Sequence, residues 1–229
     1  MNAQLPLVWR WPARQRLASF VAGPNAVALD LVTRVAAGDD RTWLFLAGPS
    51  GSGRSHLLVA ACAAAQAEGR SAQYLPLARL GDDGVEAIRG CGGSDLLALD
   101  DFDAIAGHPA AEHALFDLYN RCRAEQTVLL FAASAPPTQL GIGLPDLESR
   151  LSACTQVVLK PLDEVERRSL VRDRARERGI ELDEAALDWL FTRRKRDLAT
   201  LFDLLERIDR AALAAKRRVT VPFLRSLVD

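Results

Sequence analysis

The chain carries no excess of charge: 29 lysines and arginines stand against 30 aspartates and glutamates in 229 residues, a net charge of -1. That balance excludes a global polycation gripping nucleic acid as the main mode of action. Long apolar runs are missing too. No stretch of 18 or more apolar residues occurs, and no basic segment followed by a signal-length apolar run stands at the start. The expectation is a soluble, cytoplasmic protein with no membrane partner. Cys62, Cys91, Cys122 and Cys154 form no C-x-x-C pair, so buried thiols in a reducing compartment replace a disulfide framework. His56, His108 and His113 have no zinc spacing with them, which argues against a metal site built from these side chains. Internal repeats and low-complexity linkers are absent as well.

What is present is an alternation of two periodicities. Asn25 is placed to cap an apolar-periodic helix over 26–37, which Gly38 ends. A strand over 42–47 follows, then a helix to about Gly69, a short strand over 72–75 and helix-like residues 78–89. After the break Cys91-Gly92-Gly93-Ser94 come a strand over 95–100, a helix over about 110–124, a strand over 127–133 and a last short strand over 156–159. Strands alternating with helices predict an α/β fold, a parallel sheet covered by helices on both faces. From Pro161 the pattern changes. Segments 163–178, 183–193 and 197–217 read as three amphipathic helices, each begun by an aspartate and the first ended by Gly179. Val219-Thr220-Val221 and a terminal helix after Pro222 complete a small all-helical domain. The expected organisation is an N-terminal peptide over 1–12, an α/β nucleotide-binding domain over 13–160 and a helical lid over 161–229.

The nucleotide assignment comes from Gly48-Pro49-Ser50-Gly51-Ser52-Gly53-Arg54-Ser55, the phosphate-binding loop G-x-x-x-x-G-K-[ST] with arginine in the lysine position. Glycines let successive N–H groups turn inward around phosphate oxygens, and the helix beginning near Gly53 adds the positive end of its dipole. None of that needs the lysine. A lysine reaches the β and γ phosphates as a compact charge, whereas a guanidinium is wider, planar and forked. Binding of a diphosphate therefore survives more readily than hydrolysis of a triphosphate. Ser55 keeps the hydroxyl expected on Mg²⁺, and the motif has its required context, an apolar strand before it and a helix after it.

Leu96-Leu97-Ala98-Leu99-Asp100-Asp101 has the Walker B pattern, four apolar residues ending in two carboxylates. Asp100 would hold Mg²⁺ through water, and Asp101 would stand where the water-activating carboxylate belongs, one methylene shorter than the usual glutamate. Buried strands ending in acidic turns are common, and the spacing of about forty-five residues from the loop is what gives the segment weight. Ser134, at the end of the next strand and ahead of Pro136-Pro137, either orients an attacking water or caps a turn.

Together these features resemble the ATPase modules of the DnaA-related AAA+ family, and more closely its Hda group. The residues carrying the closer likeness are Gly53-Arg54-Ser55-His56-Leu57-Leu58, Phe116-Asp117-Leu118-Tyr119-Asn120-Arg121, Leu144-Pro145-Asp146-Leu147-Glu148-Ser149-Arg150-Leu151 and Thr200-Leu201-Phe202. The resemblance implies an AAA+ fold in which Gly48, Gly51, Ser52, Gly53, Arg54, Ser55, His56 and Asp100 hold ADP or ATP with Mg. It also implies that 20–25, which resemble the segment lying over the adenine, bring in Asn25. By position alone Arg150 would pair with Glu148 on a solvated face. The resemblance instead implies an arginine finger that enters the nucleotide site of a neighbouring subunit, with DnaA as the partner whose ATP is hydrolysed.

Gln4-Leu5-Pro6-Leu7-Val8 resembles the peptide by which Hda-group proteins dock on the DNA polymerase III sliding clamp, the β subunit. There Gln4 would hydrogen-bond while Leu5, Leu7 and Val8 supply apolar contacts, and DNA would be met only indirectly, through the clamp. A disordered tail is the other reading of so short a match. Two departures from the family pattern bear on activity. The lid arginine falls at Ala199, and Arg196, about three positions away, lies on another helix face. With Arg54 and Ala199 both altered, weak or absent intrinsic ATPase and a preference for ADP are expected. DnaA continues into a helix-turn-helix domain, for which these residues offer no replacement, and Arg193-Arg194-Lys195-Arg196 reads as a helix-end charge group. The reading is an ADP-binding adaptor, with homo-oligomers possible. Its rivals are a self-contained AAA+ ATPase or loader of the same fold and a nucleotide-gated interaction module without a finger.

Overall fold

Five short apolar segments pair into one parallel sheet in the computed structural model, which describes Trp11 and residues 15–81, 84–193, 201, 204, 205, 207 and 208. The strands are β1 (Leu44–Ala47), β2 (Ala72–Pro76), β3 (Leu96–Asp100), β4 (Val128–Ala133) and β5 (Thr155–Val158), in the spatial order β2-β3-β4-β1-β5. The three central strands are buried along their whole length, which is why they read as unbroken apolar runs. Their alternation sorts side chains to two cores. Phe45, Leu97, Leu99, Leu129 and Phe131 face the helices α3 (Gly84–Gly90), α4 (Pro109–Glu125) and α5 (Pro145–Ser152). Leu44, Leu46, Leu96, Ala98 and Leu130 face α1 (Ala26–Ala37) and α2 (Arg54–Ala67). The predicted parallel sheet with helices on both faces is thus observed. Gly38 ends α1 at φ 89, its N–H reaching Arg34 and Val35 carbonyls, a left-handed cap that suits glycine.

Three local expectations need correction. Asn25 precedes α1 but its side chain does not cap it. The buried amide is consumed elsewhere: Nδ2 donates to the Lys160 carbonyl and Oδ1 accepts the Lys160 N–H, both at 2.8 Å. The helix-like run 78–89 is broken, with a 3₁₀ turn at Leu77–Arg79, Gly81 at φ 53, and α3 only from Gly84. No element was expected over 145–152, yet α5 forms there, with Pro145 in its first turn and Leu147 and Leu151 buried one turn apart. Two apolar positions in eight residues are too few for periodicity to register.

The entry to α5 is fastened by a buried charge. Glu112 of α4 is 1% exposed, and its carboxylate accepts the N–H groups of Gly107 (2.7 Å), Gly143 (3.0 Å) and Leu144 (2.8 Å). A buried carboxylate is tolerated when it is hydrogen-bonded in this way. Glu112→Ala leaves those donors without their acceptor and is expected to cost about 3 kcal/mol, read as a lowered urea midpoint. Burial is also what inactivates the thiols. It pushes Cys62 up to about 12, Cys122 and Cys154 to about 11, and the half-buried Cys91 upward, so none supplies a reactive thiolate near neutrality.

The chain divides into two compact units, Met1–Lys160 and Pro161–Asp229. In the second unit α6 (Glu164–Arg176) begins with a reciprocal cap: Asp163 accepts the Glu166 N–H and Glu166 accepts the Asp163 N–H. Gly179 follows at φ 69, and Asp183 accepts the Ala186 N–H at the start of α7 (Glu184–Arg193). Val171, Ile180, Leu187, Leu190 and Phe191 pack with Leu201, Leu205 and Ile208, residues of the expected helix over 197–217. Apart from Leu204 and Arg207, the rest of that helix, the segment 219–221 and the terminal helix lie outside the described residues. Among the described residues, no helix is long and apolar enough to cross a membrane.

Candidate functional site

The phosphate loop follows β1 directly, and steric crowding explains two of its glycines. Gly48 donates its N–H to the Ala133 carbonyl of β4 (3.1 Å), and a Cβ there would lie 2.7 Å from the Leu159 carbonyl oxygen. Gly53 takes φ 97, and a Cβ there would meet the Phe20 ring at 2.6 Å. Gly53 stands at the N-cap of α2 without a side-chain cap, which leaves the first-turn N–H groups available to an anion. Beside them, Ser52 Oγ and Arg54 Nη1 are buried without a hydrogen-bond partner. Backbone donors, a buried hydroxyl and a buried cation fit a polyphosphate.

Because β1, β3 and β4 are parallel, their C-terminal ends bring the second set of groups to the same edge of the sheet. Asp100 is 1% exposed, with one carboxylate oxygen accepting the Asp101 N–H (2.9 Å) and the other the Tyr74 hydroxyl (2.8 Å). Asp101 adopts φ 54, a conformation uncommon outside glycine. Burial, followed by the charge of Asp100, pushes its carboxyl above the ordinary range, while Arg54 pulls the other way. The Tyr74 phenol is pushed up by burial and then by Asp100. Mg²⁺ commonly binds through one or two protein groups, several waters and substrate phosphates. Ser55 and Asp100 suit such a partial shell, and no three-ligand cluster of His, Cys, Asp or Glu exists among the described residues. The metal would supply charge neutralisation to the phosphates there.

Ser134 neither caps the turn at Pro137–Gln139, where Pro136 is the cap residue, nor stands with a free hydroxyl. Its N–H donates to Asp103 (2.9 Å), and its hydroxyl donates to the same carboxylate. Asp103 in turn faces Arg54 Nη1 at 3.8 Å. His56 touches the Arg16 carbonyl through Nε2 at 3.0 Å and presents its ring to Phe20 edge-on at 5.4 Å, holding the 16–20 segment against α2. The Asn25 amide is committed to Lys160 as described. The expected docking residues Gln4, Leu5, Leu7 and Val8, with Arg196 and Ala199, lie outside the described residues.

Arg150 makes its described side-chain contacts with α4. Its guanidinium carbon lies 4.4 Å from the centroid of Phe116 and 5.4 Å from that of Tyr119, and Nη1 hydrogen-bonds Asn120 on α4. Among the described ion pairs it has none with Glu148. Sequence reasoning missed Tyr74 and Asp103. The first is recoverable only from the β2–β3 register, which pairs Pro76 with Asp100 and so puts Tyr74 on the neighbouring strand. The second stands two residues beyond the carboxylate pair, and its contact with Ser134 bridges residues 31 apart.

Residues 13–159 match the family model described as the bacterial DnaA ATPase domain, and residues 163–228 match the one described as the Hda lid domain. Among solved structures, domain III of the replication initiation protein DnaA from Thermotoga maritima is similar over 96% of this chain and 97% of that one, at 20% identity and a TM-score of 0.80. AMPPCP-bound DnaA from Aquifex aeolicus is similar at 22% identity and a TM-score of 0.67, over 86% of this chain and 65% of that one. The RuvB Holliday junction branch migration motor of Thermotoga maritima follows at 18% identity and 0.66, over 93% and 70%. Identities this low establish the fold alone. The family models carry more, since the first covers well over half of the chain: the protein belongs to the bacterial DnaA ATPase domain family and is an Hda-like, DnaA-related AAA+ protein.

Proposed function

We propose that this protein regulates replication by binding ADP with Mg at Gly48–Ser55 and presenting Arg150 to ATP held by DnaA, so that the initiator is converted to its ADP form and re-initiation is prevented. The observation that carries this reading is the placement of Arg150. It makes no described contact with its own phosphate loop, and it is held on the α4 face by Phe116, Tyr119 and Asn120. An arginine so placed is available to neutralise developing phosphate charge in a neighbour. Support for nucleotide comes from the uncapped start of α2 and the buried polar atoms beside it, and from the AMPPCP in a solved relative. DnaA as partner rests on the Hda-type lid match. The self-contained ATPase is favoured by a different observation, the intact Asp100-Asp101 pair with the raised carboxyl of Asp101. Hydrolysis of DnaA-bound ATP in the presence of clamp and DNA separates the two. Stimulation by this protein, with negligible turnover of its own, supports the adaptor; ordinary AAA+ turnover by the isolated protein without effect on DnaA overturns it.

In the same reading Gln4 to Val8 dock the protein on the sliding clamp, which brings it to DNA and to its site of action in the cytoplasm. The combined change Gln4→Ala and Leu7→Ala is expected to abolish retention on immobilised clamp, by about 100-fold in affinity, because a short peptide concentrates its binding in one or two anchors. Nucleotide binding should be unchanged in that variant.

A further inference from the structure

We propose that Asp103 makes the loop select a diphosphate over a triphosphate. The inference rests on the nucleotide reading given under Proposed function and concerns a residue outside both phosphate motifs. Asp103 is held by two hydrogen bonds from Ser134, one from the backbone N–H at 2.9 Å and one from the hydroxyl, so its carboxylate is fixed against the end of β4. From there it faces Arg54, whose Nη1 lies 3.8 Å away and whose side chain is only 13% exposed. The loop position that ordinarily sends a cation to the β and γ phosphates therefore has its charge already answered from within the protein.

The two nucleotides make different demands on this arrangement. A diphosphate is served by the loop's backbone N–H groups and the start of α2, none of which needs the arginine side chain. A third phosphate adds charge that must be neutralised, and the loop's own side-chain cation already faces the Asp103 carboxylate at 3.8 Å. It would also add that charge beside an acidic edge, where Asp100, Asp101 and Asp103 stand within four consecutive residues at and just beyond the end of β3. Juxtaposed like charges are a strong means of rejecting a wrong ligand. Asp103 thus acts twice, by engaging Arg54 and by standing as an anion where further negative charge would enter. Arginine in the lysine position keeps the first effect at every pH, because the guanidinium is always charged.

The test compares dissociation constants for ADP and ATP, each with Mg²⁺, in the full chain and in Asp103→Asn and Asp103→Glu variants by titration calorimetry. Asp103→Asn should narrow the preference for ADP by roughly tenfold, mainly through tighter ATP binding, while affinity for ADP stays within about threefold. Asp103→Glu keeps the charge and should keep the preference. A merely structural role would weaken both nucleotides together and leave their ratio in place. Should Asp103→Asn fail to fold, Ser134→Ala removes the hydroxyl's bond to the carboxylate and leaves only the backbone one, and the ratio should narrow by a smaller factor. ADP binding with an unchanged ratio in the folded variants overturns the role of Asp103 alone. Failure of the wild-type chain to bind either nucleotide overturns the nucleotide reading along with it.

Discussion

Arg150→Ala is expected to lower stimulated hydrolysis of DnaA-bound ATP by about 10³-fold, the scale at which an arginine supplied in trans acts on a phosphoryl-transfer site. The wild-type side chain lies across α4. Its stem leaves α5 while the guanidinium rests on Phe116 and Tyr119, and Asn120 takes one of its donors. Cation–π contacts of this kind contribute about 0.5–1 kcal/mol at partly exposed sites, so the head can leave α4 for a partner's phosphate at small cost. The same small number says that Arg150→Ala should hardly change stability. ADP binding should also persist, since no described contact joins Arg150 to the phosphate loop. Arg150→Lys is informative beside it. An ammonium keeps the charge but lacks the planar fork, so partial activity would assign the effect to charge and near-complete loss would assign it to bidentate geometry. Full stimulation by Arg150→Ala would end the finger assignment and leave a nucleotide-gated binding module as the surviving rival.

Most of the fold was legible because its signals are local. Central strands such as Leu96–Asp100 are apolar throughout, α1 has an unambiguous glycine stop, and α6 starts with Asp163 and Glu166 three apart. The phosphate loop was legible for the same reason, being contiguous. What escaped depends on tertiary placement. Asn25 has the residue type and position of a helix cap, yet the carbonyl and N–H of Lys160, 135 residues away, claim its amide instead. Ser134 carries no mark of its partner: the carboxylate it meets lies 31 residues earlier, brought across by the neighbouring strand. Short α5 was invisible to periodicity, although it carries Arg150, and it is placed by a buried glutamate on α4 whose three backbone donors come from two separate loops. The local rules therefore located the phosphate loop and the carboxylates, while the couplings that tune them came only with the packing.

The second large effect concerns the loop's first glycine. Gly48→Ala should eliminate ADP binding and destabilise the first unit by about 3 kcal/mol, in the range of an overpacked position. The added Cβ would lie 2.7 Å from the Leu159 carbonyl and 2.8 Å from Ser52 Oγ. Ser52 has a rotamer to yield; Leu159 does not, because its own N–H donates to the Ala47 carbonyl at 2.7 Å and fixes it beside β1. Relief must then come from the loop itself, which moves the N–H groups that would receive phosphate. Gly51→Ala makes the control within the same loop. A Cβ at Gly51 would meet no atom within 4 Å, and only φ 80 opposes a side chain, a strain of about 1 kcal/mol. Thermal unfolding with and without ADP reads both quantities, since a ligand bound only by the folded state raises the midpoint by an amount that grows with the logarithm of its affinity. Wild type and Gly51→Ala should show the ADP-dependent rise and Gly48→Ala should show none. An undiminished rise in Gly48→Ala would mean that the phosphates sit elsewhere and that the crowding around Gly48 serves only the junction of β1 with β5.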